Sequence, residues 1–195
     1  MIDSHAHLDM VQFDHDRDQV IARAEREGIH TILSLAMIDE MDSFEKAIPL
    51  VETHGLLSAI GCHPHDAKIF DDKGGEAILT RFAANPKILA IGEIGLDYHY
   101  NLSTPQIQCE VFRRQIRLAR DLELPIIVHH RNAEDELIAI LEEEKASDVG
   151  GILHSFTASL ETAEAAIAQG FLISFSGILT FKNSESLKEV ARMLP

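Results

Sequence analysis

MIDSHAHLD, residues 1–9, distinguishes between two fold classes, because it holds the end of the first predicted strand and the residues after it. In an open, doubly wound α/β sheet, this place usually holds a glycine-rich loop that binds phosphate. Here the strand ends in His-Ala-His-Leu-Asp instead. Alternate strand residues point to the same face, so His5 and His7 can reach one point together. The stretch therefore favours a barrel, in which the strand ends build the site.

Six more apolar or β-branched runs occur later in the chain, and each leads into a helical pattern. The seven predicted strands begin near Ile2, His30, Leu56, Ile88, Pro125, Gly151 and Phe171. Repeated strand–helix pairs predict a parallel sheet with right-handed crossovers. A closed (β/α)8 TIM-type barrel needs eight strands and typically about 250 residues. We therefore expect one α/β barrel domain over residues 1–195, truncated after its seventh β/α unit, with the eighth strand and helix missing.

The composition is that of a globular protein with a large negative charge. Of 195 residues, 46% are hydrophobic, and the formal net charge is −15. Such a charge works against loose binding along nucleic acid or acidic membranes, so phosphate would need local positive charge. The two cysteines form no C-x-x-C, and neither a signal-peptide pattern nor a membrane-length apolar run is present. These features predict a cytoplasmic protein with no membrane partner.

The histidines are concentrated where a barrel would build its site. Eight of the eleven lie in or just beyond predicted strand ends, and three fall in helices or at junctions. The carboxyl ends of parallel strands meet at one face of a barrel. Metal binding explains this placement better than chance does. The eight are His5, His7, His63, His65, His99, His129, His130 and His154.

Glu93 interrupts a strongly apolar strand that begins at Ile88. A buried carboxylate is costly unless it is paired or binds metal, so we predict a ligand here. Asp97 is equally consistent with a partner of a ligand and with a loop cap. Adjacent strand residues face opposite sides, so only one of His129 and His130 can share the interior with Glu93. We expect His129 to be the ligand and His130 to be structural.

Three further residues have substrate or structural interpretations. Arg131 has the planar, permanent charge that suits phosphate, and a surface salt bridge is the alternative. His63 and His65 lie in Gly-Cys-His-Pro-His. Either could contact substrate or donate a proton near neutral pH, or the segment could be only a rigid turn. We assign His65 and Arg131 to substrate binding.

The predicted metal ligands are His5, His7, Glu93, His129 and His154. Four imidazoles and one carboxylate exceed what a single tetrahedral ion needs. Two divalent ions bridged by a carboxylate fit better, an arrangement typical of phosphate-ester hydrolysis. The mixed ligands suit Zn or Mn, and Mg is compatible with water-rich coordination.

Six segments together resemble the TatD-type metal-dependent deoxyribonucleases of the amidohydrolase superfamily. They occur in family order over nearly the whole chain: DSHAHLD (3–9), GCHPH (61–65), IGEIGLDY (91–98), LPIIVHHRNA (124–133), GILHSFT (151–157) and ISFSGILTFK (173–182). The resemblance implies a barrel with His5 and His7 on one ion, Glu93 bridging, and His129 and His154 on the other. It also implies cleavage of DNA phosphodiesters, often from the 3′ end, so that DNA ends or nucleotide phosphodiesters are the substrate.

One family feature has no counterpart in residues 1–195. The family carries a further aspartate on the eighth strand, as a metal ligand and general base, and this sequence ends at Pro195 before that motif. The catalytic residue therefore stays unassigned, and we expect the 195-residue form to be poorly active. The fourth strand offers Glu93 and no lysine, which favours this branch over those that use a carbamylated lysine.

Three functions stay open on the sequence. The first is an exonuclease-like hydrolase in which two metal ions activate the water that cleaves DNA phosphodiesters. The second is an amidohydrolase-type hydrolase of a small lactone, amide or amine. The third is an inactive truncated scaffold, whose exposed sheet edges would pair with another chain and produce oligomers. In the third case, a version longer by about 60 residues would be more stable.

Overall fold

A computed structural model describes residues 1–39 and 44–195 as parallel strands that alternate with helices. The strands are β1 Ile2–Ala6, β2 Thr31–Ser34, β3 Ala36–Met37, β4 Ser58–Gly61, β5 Ile88–Asp97, β6 Ile126–Arg131, β7 Gly151–Leu153 and β8 Phe171–Ile173. The α-helices are α1 Arg17–Arg26, α2 Phe44–Thr53, α3 Gly75–Ala83, α4 Pro105–Asp121, α5 Glu134–Glu143, α6 Leu160–Ala168 and α7 Glu185–Met193. Short 3₁₀ segments cover Val11–Phe13, Pro64–Ile69, Ala146–Asp148 and Gly177–Thr180.

The strand pairs are parallel and fall into two sheets. One sheet joins β1 to β2, and the other runs in the order β3-β4-β5-β6-β7-β8. The second predicted strand is divided between them, because Ser34 pairs with Ala6 whereas Ala36 pairs with Ile60. This change of partner explains why eight segments appear where the sequence predicts seven strands.

The predicted parallel α/β class is confirmed, and the arrangement matches a TIM-type barrel that is not closed. Within residues 1–39 and 44–195, β1 pairs with β2 alone and β8 with β7 alone. None of the described helices is both long enough and apolar enough to cross a membrane.

Local sequence signals account for several helix ends. The Thr104 hydroxyl accepts a hydrogen bond from the N–H of Ile107 at 3.4 Å, and Pro105 is the first residue of α4. Ser159 caps α6 in the same way, through the N–H of Thr162 at 3.2 Å. Gly28 lies just after α1 with φ +84°, the left-handed conformation expected after a helix end.

The main core lies between the larger sheet and its helices. Ile91 and Ile94 of β5 are fully buried there, as is Ile116 of α4. A smaller cluster around Ile21 and Ile32 joins α1 to β2. Because the strands are parallel, their carboxyl ends lie at one edge of the molecule, and the candidate site lies there.

Candidate metal centre

Glu93 lies at the centre of a cluster of imidazoles and is only 3% exposed. Its Oε2 atom faces Nε2 of His5 at 3.2 Å and Nε2 of His7 at 3.6 Å. Its Oε1 atom faces Nδ1 of His129 at 2.7 Å and Nε2 of His154 at 2.6 Å. The structure therefore brings the five predicted ligands together, with one histidine pair beside each carboxylate oxygen.

His63 adds another imidazole to this cluster, with Nε2 3.5 Å from Oε1 of Glu93. Two groups of three side chains, His5–Glu93–His154 and His63–Glu93–His129, each place their ligand atoms within 4.8 Å of one another. Each group could hold a metal ion, and neither contains the pair His5 and His7 or the pair His129 and His154 that the resemblance implies. The sequence left His63 open between a substrate contact and a rigid turn, and its position at a strand end was the available signal.

The pKa values of the cluster shift in different directions. Although burial lowers the pKa of His7 and of His129, hydrogen bonds to Glu93 raise both above the ordinary value. Burial, reinforced by neighbouring imidazoles, lowers the pKa of His5 to about 3 even though Glu93 attracts its proton. Burial alone would raise the pKa of Glu93, but hydrogen bonds from His129, His154 and other imidazoles hold it well below its usual range. At neutral pH, His5 is therefore a neutral donor and Glu93 an anion, the forms that bind a metal ion.

Asp97 holds the ring of His129 from the side opposite Glu93. The Oδ2 atom of Asp97 lies 3.2 Å from Nε2 of His129 and 2.9 Å from Nε2 of His65. In a metal-loaded site, donation of Nε2–H of His129 to Asp97 would leave the lone pair of Nδ1 for the metal ion. Carboxylates commonly select the tautomer of a metal-binding histidine in this way.

The other oxygen of Asp97 organises the loop after β5. Its Oδ1 atom accepts hydrogen bonds from the N–H groups of His99 at 3.0 Å and Tyr100 at 2.9 Å. The buried amide of Gln108 bonds both the N–H and the C=O of Asp97, at 2.8 and 3.1 Å. Asp97 thus acts both as a partner of a histidine and as a loop cap, the two interpretations that the sequence left open.

Close packing of β5 against β6 positions His129 beside Glu93. Gly95 lies opposite His129, with φ +144°, a conformation that other residues rarely adopt. A Cβ atom at Gly95 would lie 2.0 Å from the carbonyl oxygen of His129. Glycine at this position therefore lets β6 approach closely enough for His129 to reach Glu93.

An open cavity of about 740 Å³ lies in front of Glu93. All five predicted ligands line it, together with His63 and His65. Its wall also carries the carboxylates of Asp9, Asp14, Asp39 and Asp66. Among the described residues that line it, Lys46 is the only lysine. A negatively charged substrate would be repelled by this wall, and cations held at Glu93 would offset that repulsion.

His130 and Arg131, at the end of β6, lie in different environments. His130 is 5% exposed and packs against Phe156, with 5.0 Å between ring centroids, so it lies away from the cluster as predicted. The guanidinium of Arg131 lies over the ring of Tyr100, 4.8 Å from its centroid. Of the two predicted substrate contacts, His65 lines the cavity, whereas Arg131 is not among the described residues that line it.

Comparison with known proteins shows the family of this chain. The family model described as "TatD related DNase" matches residues 2–195. A Bacillus subtilis protein named "Uncharacterized metal-dependent hydrolase YabD" is 41% identical, over 100% of this chain and 76% of its own length. The "3'-5' ssDNA/RNA exonuclease TatD" of Cronobacter turicensis is 35% identical, over 91% of this chain and 66% of its own.

A solved structure has the same fold. The crystal structure of the Escherichia coli TatD homologue YJJV superposes with a TM-score of 0.90 and 29% identity. The match covers 100% of this chain and 75% of that one. The open arrangement of strands in this chain is therefore compatible with a barrel-type relative.

Proposed function

The chain is a metal-dependent hydrolase that belongs to the TatD-related DNase family, and we propose that it cleaves phosphodiesters at the ends of single-stranded nucleic acid. The Cronobacter turicensis exonuclease, 35% identical to this chain, supports this substrate class. The proposal further assigns two divalent ions to the site, with Glu93 as their shared ligand.

The observation that carries the proposal is the placement of histidines around the two oxygens of Glu93. His5 and His7 lie beside Oε2, whereas His129 and His154 lie beside Oε1. This donor set of imidazoles and one carboxylate fits Zn or Mn. When bound, a pair of such ions neutralises charge on the attacking and leaving oxygens of a phosphate ester and activates water.

The chain's own residues would position the substrate. His65 faces the cavity and is held by Asp97 through Nε2, so we assign it to the phosphate group. The carboxylates of the wall disfavour binding along a nucleic-acid backbone, as does the net charge of −15. A strand that enters by its end exposes fewer phosphates to that wall, which supports action on ends.

The test is release of nucleotides from a single-stranded oligonucleotide, measured with Mn²⁺ or Mg²⁺ and in excess chelator. We expect metal-dependent release, and a loss in kcat on the order of a hundredfold or more with Glu93→Gln, because the shared ligand is lost. Glu143→Gln, a change to an exposed carboxylate on α5, is the matched control and should retain activity. Undiminished cleavage in chelator would contradict the proposal. Hydrolysis of small lactones or amides without cleavage of nucleic acid would favour the alternative substrate class.

A further inference from the structure

Tyr100 places an exposed aromatic ring beside the metal centre. The residue is 56% exposed, although three side chains contact its ring. The guanidinium of Arg131 lies over the ring at 4.8 Å, and the imidazoles of His65 and His99 meet it edge-on at centroid distances of 5.5 and 4.8 Å. An aromatic ring with exposed surface can accept a stacking partner.

The loop that carries Tyr100 is fixed at several points. Asp97 accepts the N–H of Tyr100, and the buried hydroxyl of Ser103 donates to the carbonyl of His65 at 2.8 Å. The same hydroxyl accepts the N–H of Lys68 at 3.1 Å. The ring is therefore held in place before any ligand arrives, which lowers the entropic cost of binding.

Arg131 supplies a positive charge at the ring of Tyr100. Within the described ranges, 1–39 and 44–195, no carboxylate lies at salt-bridge distance from its guanidinium. The ring of His65 lies near both Tyr100 and His129, at centroid distances of 5.5 and 6.3 Å. A guanidinium can stack its plane on an aromatic ring while the N–H groups at its edge donate to a phosphate.

We propose that Tyr100, backed by Arg131, is a nucleobase-binding subsite that receives a base next to the phosphate at the metal centre. One imidazole ring, His65, lies between Tyr100 and the metal-ligand candidate His129, so the subsite adjoins the site directly. Stacking on an aromatic ring accepts any base, because each has a π-face. The inference rests on the proposed function and deepens it, since it makes nucleic acid, rather than a simple phosphate ester, the ligand.

The first experiment compares two strands of about ten residues with the metal-loaded protein: an oligothymidylate and a strand of abasic residues with the same charge. In the wild type, we expect KM to be about five- to a hundredfold lower for the oligothymidylate, from stacking of one base. Tyr100→Ala should bring the ratio of the two KM values close to one, and Tyr100→Phe should preserve it. Leu102→Ala, which removes another exposed side chain from the same loop, is the control and should also preserve the ratio.

The second experiment reports binding without turnover. The sequence contains no tryptophan, so Tyr100→Trp introduces a single emitter at the subsite. Oligothymidylate with phosphorothioate linkages, which slow cleavage, should quench its emission with saturation, and the abasic strand should not. Absence of quenching, or an equal rise in KM for both strands in Tyr100→Ala, would overturn the subsite. Failure of the wild type to cleave oligothymidylate would instead overturn the proposed function, and the quenching titration would still decide the subsite.

Discussion

At Glu93, a carboxylate that is almost wholly buried is surrounded by imidazoles rather than by lysine or arginine. Imidazole and carboxylate are common metal ligands, and a buried carboxylate is costly unless it is paired or binds metal, so this environment suits a metal site. The sequence predicted Glu93, His5, His7, His129 and His154 because strand alternation and strand ends are local features. It did not resolve His63 or Asp97, because their partners depend on how β4, β5 and β6 approach one another.

Asp97→Asn tests the selection of the His129 tautomer. An asparagine can still accept the N–H groups of His99 and Tyr100, so we expect the loop to stay folded. It offers no charged acceptor for both His129 and His65, and we therefore expect metal affinity to fall by about 10- to 100-fold. Titration of the metal-free protein against a competing chelator measures the change. Asp135→Asn, on the exposed first turn of α5, is the matched control, and equal affinities for the two variants would contradict the assignment.

At the scale of the elements, a carboxylate just after α5 holds two helices together. Glu144 is 8% exposed and accepts two hydrogen bonds from Arg117 of α4, at 2.6 and 2.7 Å, and one from Arg113 at 3.2 Å. Hydrogen bonds from Arg117 keep the pKa of Glu144 below its ordinary value, although burial opposes them. A lowered pKa in the folded state means that the contribution to stability is present above the unfolded pKa and is lost as the pH falls.

Glu144→Gln should therefore lower the free energy of unfolding by about 1 kcal/mol at pH about 7, since part of the network is exposed. The difference from wild type should shrink as the pH falls toward about 3, where the wild-type carboxylate also gains a proton. Urea denaturation at several pH values checks this. Glu143→Gln removes only an exposed partner of Arg113 and should have a smaller effect at every pH. A pH-independent loss in Glu144→Gln would count against the electrostatic explanation.

The helix ends were predictable from the sequence, whereas one feature of the sheet was not. Thr104, Pro105 and Ser159 act within a few residues of themselves, so their capping roles can be read directly from the sequence. The division of the second strand at Leu35 depends on which distant strand each half meets. Its two halves pair with Ala6 and with Ile60, and no local pattern encodes that change.

For the whole molecule, the residues of the candidate metal centre come from both sheets. His5 belongs to β1 in the smaller sheet, and Glu93 belongs to β5 in the larger one. An ion that binds only the folded state at 100 times its Kd adds about 2.7 kcal/mol of stability. For a chain of this size, that corresponds to a rise in Tm of about 5–10 °C. Calorimetry of the metal-free and metal-loaded protein measures it, and an unchanged Tm would show that the ions do not bridge the sheets.

The unpaired edges of β1 and β8 bear on association. In the described part of the chain, each of these strands has one neighbour, and Leu172 of β8 is 68% exposed. Exposed edges favour pairing between chains, and lysine at an edge discourages it. We expect sedimentation velocity to show self-association that increases with concentration and is weakened by Leu172→Lys. A monomer at all concentrations would contradict the prediction made from the sequence. Whether β1 and β8 pair with each other depends on the whole fold, so the periodicity of the sequence alone does not predict it.

The central claim is that Glu93 joins two divalent ions, and counting bound metal tests it most directly. The protein is purified without chelator, and its content of Zn, Mn and Mg is determined by elemental analysis. We predict two equivalents in the wild type, the same in Glu143→Gln, and at most one in Glu93→Gln. A wild type that binds fewer than two equivalents, or a Glu93→Gln variant that retains two, would contradict the claim.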